Sequence, residues 1–235
     1  MSSKNAFVWK VEAEAVIFIK FFFARGVRDM LFFRKSRARR AAEGSLLLIK
    51  NGFLAPALLA QGDILKGLLV TGSFLITRAV EQCLDTYAYL ETFCMPPLSG
   101  KDIEAKRNFI AAAGRLIGRL HRTGIVHGDL RPGNILIRRS EDDLEFYFID
   151  NERNRYFRRG VPARLREKNL VQINMILTPA ITFTDRMRFF RAYLEENPEI
   201  GPHAGKWIRN VFARTKKRLQ KRTSGIWGKK ANQLF

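Results

Sequence analysis

The sequence predicts an α+β chain: a small strand-rich N-terminal part carrying one helix, followed by a helical C-terminal part. Three observations carry that reading. Val16-Ile17-Phe18-Ile19 is a β-branched and aromatic run, the composition of a buried or half-buried strand. Ile103, Phe109, Ile110, Ala113, Leu116, Ile117 and Leu120 recur at helical spacing. Strands come first and helices afterwards, which excludes an alternating parallel βαβ sheet as the favoured fold.

Taken in order, residues 7–24 read as extended. Residues 28–49 read as a helix, with Leu31, Ala38, Ala42 and Leu46 available for one face and Gly52 at the expected stop. Two strands are expected at 57–60 and 68–77, the connection beginning at Gln61-Gly62-Asp63. Ser99 and Asp102 form a capping-box pattern before the long helix, which runs up to Gly124. A hairpin follows, with strands at 134–138 and 144–149 around a polar turn at 140–143. Helices are expected at 164–177, 184–196 and 206–222. The domain reading is residues 1–80 for the first part and 81–235 for the second, with a basic segment at 201–235.

Composition bounds the function. At 46% apolar and 27% charged residues the chain buries a core, so wholesale disorder is excluded. The uncharged stretches 51–62 and 67–77 are shorter than the roughly 18 apolar residues a spanning helix needs. Glu12, Glu14 and Lys20 interrupt the early apolar run, so no secretory signal is read there. Cys83 and Cys94 lack CxxC or Cys/His partners and read as inert thiols in a reducing cytoplasm. A net charge of +20 and a pI near 10.6 direct the chain toward polyanions. Residues 201–235 hold ten Lys or Arg and no acid.

The chemistry concentrates in His127-Gly128-Asp129-Leu130-Arg131-Pro132-Gly133-Asn134, between the long helix and a short strand. Sixteen residues beyond Asn134 stands Asp150, closing the apolar run Phe146-Tyr147-Phe148-Ile149. Phosphoryl transfer needs this set: a carboxylate facing the acceptor hydroxyl, an amide five residues on reaching a metal ion, and a second carboxylate on the metals. A polar turn with capping Asp and Asn is the plain alternative, but the helix–loop–hairpin context and both spacings favour catalysis. Upstream, Lys20 closes the Val16–Ile19 strand run, where a kinase fold places the lysine that contacts ATP phosphates. Glu43, in the next helix, is its expected partner.

These residues resemble the lipopolysaccharide core kinases of the Kdo/WaaP type, compact members of the protein-kinase-like superfamily. The resemblance rests on residues 16–20, 36–43, 127–137 and 148–153, and continues through Thr184-Asp185-Arg186-Met187-Arg188-Phe189-Phe190-Arg191-Ala192-Tyr193-Leu194. It implies a compact bilobal kinase-like fold and ATP-dependent phosphorylation of a sugar hydroxyl, on Kdo or heptose, in the lipopolysaccharide inner core. By that resemblance Asp129 is the base or hydroxyl-orienting residue and Asn134 and Asp150 hold Mg²⁺. Lys20 contacts the ATP phosphates and Glu43 holds Lys20. His127 is read as a brace for the loop, Arg153 as either a phosphate contact or a packing residue, and Glu152 as a solvated or ion-paired acid. The expected acceptor is a core glycolipid at an anionic membrane surface, on the cytoplasmic side of a Gram-negative inner membrane; nucleic acid is not expected.

Two departures from the family pattern stand in the sequence. No glycine precedes Gly26, so either the chain begins late or the nucleotide is covered differently. Asp150 begins Asp-Asn-Glu rather than Asp-Phe-Gly, and no Ala-Pro-Glu follows, which favours a small or glycolipid acceptor over a protein. Trp207, Ile208, Val211, Phe212, Leu219, Ile226 and Trp227, interleaved with the C-terminal cations, suit an amphipathic segment on an anionic surface; a solvated charged face is the alternative. His121 reads as a surface or helix-end histidine. Another small-molecule phosphotransferase, or a non-catalytic polyanion-binding protein on the same fold, stays open as an alternative function.

Overall fold

A computed structural model of the chain describes residues 2–3, 6–12, 14–24, 35–140 and 143–223. The chain divides into two compact units. The first comprises Met1–Cys83 with Arg138–Arg155, and the second Leu84–Ile137 with Tyr156–Phe235.

The first unit is built on an antiparallel five-stranded sheet. Its strands are β1 (Ser2–Ser3), β2 (Ala6–Glu12), β3 (Val16–Phe23), β4 (Leu58–Lys66) and β5 (Leu69–Arg78), in the order β1-β2-β3-β5-β4. The stretch expected as extended is so, as two strands of a hairpin, with Val8 opposite Lys20 and Ala6 opposite Phe22. Helix α1 (Arg37–Lys50) is capped by Ser36, whose side chain accepts from the Arg39 N–H at 3.3 Å. The expected helix start at 28–34 lies outside the described residues. Ala38, Ala41 and Ala42 pack with Ala6, Phe22 and Leu75 in the core under the sheet. Leu46, expected on the buried face, is exposed; Ser45 and Leu48 are buried instead. Side chains alternate across a strand, so Lys20, two residues before Phe22, faces the α1 side.

The β4–β5 turn also lies further along than expected. Gln61-Gly62-Asp63 is inside β4, and a Cβ on Gly62 would sit 2.7 Å from the Phe74 ring of the neighbouring strand. That glycine marks a close packing contact rather than a turn.

The first unit takes in 138–155, which the sequence division assigned to the second part, and buried contacts explain why. Leu54 bridges Tyr147 of β9 (Leu144–Phe148), and the Asn151 side chain donates to Ser45 Oγ at 3.0 Å. Gly44 of α1 meets the Asn151 carbonyl so closely that any Cβ would collide with it. Arg37 and Glu152, nearly buried side chains, pair at 2.9 Å.

The second unit is helical. Strand β6 (Cys83–Asp85) leads into α2 (Thr86–Phe93), a helix the sequence reading did not include; the Asp85 side chain caps it, accepting from Tyr87 N at 2.8 Å. Helix α3 (Gly100–Arg122) carries the expected Ser99/Asp102 capping box and buries Phe109, Ile110, Leu116, Ile117 and Leu120. It leads to β7 (Ile125–Val126) and, after the 127–134 loop, to β8 (Ile135–Arg139), which runs on into the first unit. Helices α4 (Ala163–Ile173), α5 (Phe183–Glu195) and α6 (Ala204–Thr223) complete the unit. At Gly114 a Cβ would strike the Phe189 carbonyl, so α3 and α5 lie closer than side chains allow. Lys106 of α3 and Asp185 of α5 form a buried ion pair at 2.9 Å. Burial alone would raise the Asp185 pKa; the bonds from Lys106 and Thr182 outweigh it and hold the carboxyl below its ordinary range.

The basic α6 is not an unattached amphipathic segment. Leu219 and Thr215 are buried, Asn174 donates to Thr215 Oγ1 at 3.1 Å, and Ile208, Val211 and Phe212 face an apolar cavity shared with Leu170 and Phe190. Its apolar face packs on the second unit because these side chains find a protein core there. Ile226 and Trp227 lie outside the described residues.

Candidate functional site

The chemistry-bearing loop sits in the second unit. The end of α3 and β7 deliver His127, which is fully buried with Leu130, and a single 3-10 turn, Pro132–Asn134, turns the chain into β8. His127 Nδ1 accepts the Asp129 N–H at 3.2 Å, so it braces the loop from beneath. The Asn134 side-chain amide donates to the Asp129 carbonyl at 2.8 Å, leaving its own Oδ1 without a partner among the described residues. The Asp129 carboxylate is half-buried. Its Oδ1 accepts from Gln172 Nε2 at 3.0 Å and forms an ion pair with Arg131, whose Nε lies 2.9 Å away, while Oδ2 has no donor among the described residues.

Gln172 is the visible end of a longer polar chain. Asn169, one helical turn earlier on α4, donates through Nδ2 to Gln172 Oε1 at 2.9 Å and to the His127 carbonyl at 2.8 Å. Both of its donors are thereby engaged, so Asn169 Oδ1, 3.1 Å from His121 Nε2, must accept. His121 Nε2 then carries the proton, and Nδ1 accepts from the Tyr193 hydroxyl at 2.9 Å. His121 is wholly buried, and burial lowers its pKa from 6.5 to about 4, so the ring is neutral. Burial raises the Tyr193 pKa, keeping the phenol a donor. Every proton direction along Tyr193–His121–Asn169–Gln172 is fixed, and the chain ends on Asp129 Oδ1 with an N–H.

His121 is therefore a buried helix-end histidine and not a surface one, and sequence reasoning linked none of these four residues to Asp129. Asn169 and Gln172 do stand three apart on one face of an expected helix, a signal that was present but unread.

In the first unit, Lys20 projects from β3 and forms an ion pair with Asp150. Its Nζ also lies 5.3 Å from the centre of the Phe22 ring. Asp150 follows β9 in the left-handed conformation, φ 64°, just before the 3-10 turn Asn151–Arg153. That turn is pinned to α1 by the Asn151–Ser45 and Arg37–Glu152 bonds, so Asp150 is presented from a fixed corner. Glu152 is an ion-paired acid. Exposed Arg153 reaches the same carboxylate at 3.4 Å.

Glu43 does not hold Lys20. It pairs with Lys35 at 2.8 Å and Arg39 at 3.4 Å, and the Lys35 hydrogen bond holds its carboxyl below the ordinary range. Two cations beside Glu43 compete for it, while Asp150 takes the lysine. Of the expected site residues the structure thus joins Lys20 to Asp150 in one unit and Asp129 to Asn134 in the other, and sets Glu43 apart from Lys20.

Residues 10–193 match a model of the lipopolysaccharide kinase (Kdo/WaaP) family. Among solved structures, one described as WaaP in complex with acyl carrier protein superimposes with a TM-score of 0.69 at 21% identity, covering 92% of this chain and 86% of that one, and so has the same fold. No curated protein sequence matches the chain.

Proposed function

The chain belongs to the lipopolysaccharide kinase (Kdo/WaaP) family, and on that premise we propose that it transfers the γ-phosphoryl group of ATP to a sugar hydroxyl of the lipopolysaccharide inner core. The observation that carries this reading is the state of Asp129. Gln172 donates to Oδ1 and Arg131 pairs with it, and Oδ2 is left for a substrate hydroxyl. A carboxylate fixed in this way orients the attacking oxygen and takes its proton as the bond to phosphorus forms.

The donor set fits a nucleotide with Mg²⁺. Asp150 in the first unit offers a carboxylate, and Asn134 in the second an amide oxygen with no hydrogen-bond partner among the described residues; each is a hard donor of the kind Mg²⁺ shares with phosphates. A bound metal would neutralise phosphate charge. Lys20, now on Asp150, is the cation for the phosphates. Glu43 keeps a supporting part only if it exchanges Lys35 and Arg39 for Lys20. A lipid-anchored acceptor places the enzyme peripherally at the inner face of the inner membrane. No helix among the described residues is long and apolar enough to cross a membrane.

The test is to incubate the purified protein with labelled ATP and a panel of core glycolipids, locating the new phosphate by mass spectrometry. Asp129→Ala should lower turnover by at least ~100-fold, the low end of general-base effects, with little change in ATP affinity. Near wild-type turnover in that variant overturns the assignment.

A further inference from the structure

The sheet of the first unit has two apolar faces, and α1 covers only one of them. Ala6, Phe22 and Leu75 pack against Ala38, Ala41 and Ala42 on that side. Side chains alternate along a strand, so Phe7, Trp9, Phe21, Phe23 and Phe74 project from the other side. Their rings form one connected array. Phe7 stacks on Phe21 with ring centres 4.8 Å apart, and lies 5.1 Å from Trp9 and 5.5 Å from Phe23. Phe21 in turn lies 6.4 Å from Phe74. The strand register extends the same face through Ile19, Ile76 and Ile64.

This outer face is open to water. Trp9 is 57% exposed, Phe23 50% and Ile64 43%, and in the β4–β5 turn Leu68 is 89% exposed. Soluble monomers rarely leave contiguous apolar surface of this kind uncovered, and where they do it marks an interaction site. The paired strands place no acid there. Glu12 shares the parity of Ala6, and Asp63 stands opposite Ser73, whose hydroxyl accepts from the Ala38 N–H of α1, so both belong to the α1 side. Cations flank the array instead: Arg78 opposite Ile17 at one end, and Lys66, two residues beyond Ile64, at the other.

Charge decides what covers the face. A second copy stacked here would join two chains of net charge +20, with flanking cations on both faces and an acid on neither. An anionic bilayer offers the complement, with acyl chains for the rings, the headgroup level for an indole, and phosphates for Lys66 and Arg78. We propose that the outer face of this sheet is the membrane-docking surface, with Trp9, Phe23 and Leu68 in contact with lipid. The proposal rests on the peripheral placement reached in the kinase reading above, and adds the surface that performs it. Docking then falls to the first unit, since the apolar face of the basic α6 is already packed in the second.

The experiment uses the full chain and vesicles of phosphatidylglycerol and phosphatidylethanolamine. In Trp207→Phe/Trp227→Phe the one remaining indole is Trp9. Its emission should move to shorter wavelength on vesicles and be quenched by lipids brominated on the acyl chain. In sedimentation, Trp9→Thr/Phe23→Thr should bind these vesicles about tenfold or more weakly than wild type, because two half-exposed rings no longer leave water on binding. Leu68→Ser, at a site too exposed to disturb the core, should weaken binding about threefold or more. Neutral phosphatidylcholine vesicles should hold wild type less tightly than the anionic ones.

An unshifted, unquenched Trp9 in vesicle-bound protein overturns the proposal, as it would assign attachment to charge elsewhere. Equal vesicle affinities of wild type and both variants, equal affinity for neutral vesicles, or no binding at all overturn it too. So does a concentration-dependent dimer in sedimentation equilibrium that Trp9→Thr/Phe23→Thr abolishes, since a second copy would then cover the face. None of these measurements needs turnover. The kinase reading is judged separately on a soluble, deacylated core oligosaccharide, which wild type and the variants should phosphorylate equally; if wild type does not, that reading fails while the quenching of Trp9 still decides this one.

Discussion

Acid should destabilise the folded chain through His121. In the folded chain the ring is wholly buried between the Tyr193 hydroxyl and the Asn169 amide, and its pKa lies near 4 instead of 6.5. A base whose folded pKa is depressed binds its proton more readily when unfolded, so stability falls as the pH drops below 6.5 and levels off below about 4. The full separation corresponds to roughly 3 kcal/mol, and the loss between about pH 7 and pH 5 is about 2 kcal/mol. Chemical denaturation of wild type and His121→Gln across that range measures it. Carboxylates such as Asp185 lose stability in the same direction at lower pH, so the diagnostic quantity is the difference in slope between the two proteins. His121→Gln should be less stable at pH 7 yet flatter below pH 6.5. Parallel curves would show that the ring is solvated or charged in the folded protein, and the proton directions assigned along the chain to Asp129 would fall with it.

Lys106→Met should cost about 3 kcal/mol, the low end for stranding one member of a buried ion pair, because Asp185 keeps its Thr182 and Arg188 bonds; urea titration measures this, and a companion Asp185→Leu should recover much of the loss. Lys20→Met should weaken ATP binding by tenfold or more in calorimetry, as expected for a cation hydrogen-bonded to phosphate, while Glu43→Gln should have a smaller effect since Lys35 and Arg39 are its partners; a larger effect at Glu43 would mean that the ion pairs exchange when nucleotide binds.

Local rules made much of the chain legible. Ser99 and Asp102 formed their capping box, the apolar spacing from Phe109 to Leu120 became the buried face of α3, and Val16–Ile19 became β3. These features depend on residues within about a turn or on a strand's own alternation, and the sequence contains that information directly. The loop from His127 to Asn134 was legible for the same reason, its internal bonds spanning only two to five residues.

Tertiary packing decided the rest. Whether Lys20 meets Glu43 or Asp150 depends on a corner pinned by Arg37, Ser45 and Gly44, residues more than a hundred positions from Asn151 and Glu152. His121 does stand in the last turn of α3, but its burial was not legible, because nothing nearby in sequence announces Asn169 or Tyr193, which lie 48 and 72 positions away. The same holds for α6. Its cations and apolar residues suit a membrane surface or a protein core equally well by periodicity, and the core won where Leu219 and Thr215 found buried neighbours. Charge and period are properties of a segment, whereas the partner that satisfies a buried polar group is fixed only when distant segments close around it and exclude water.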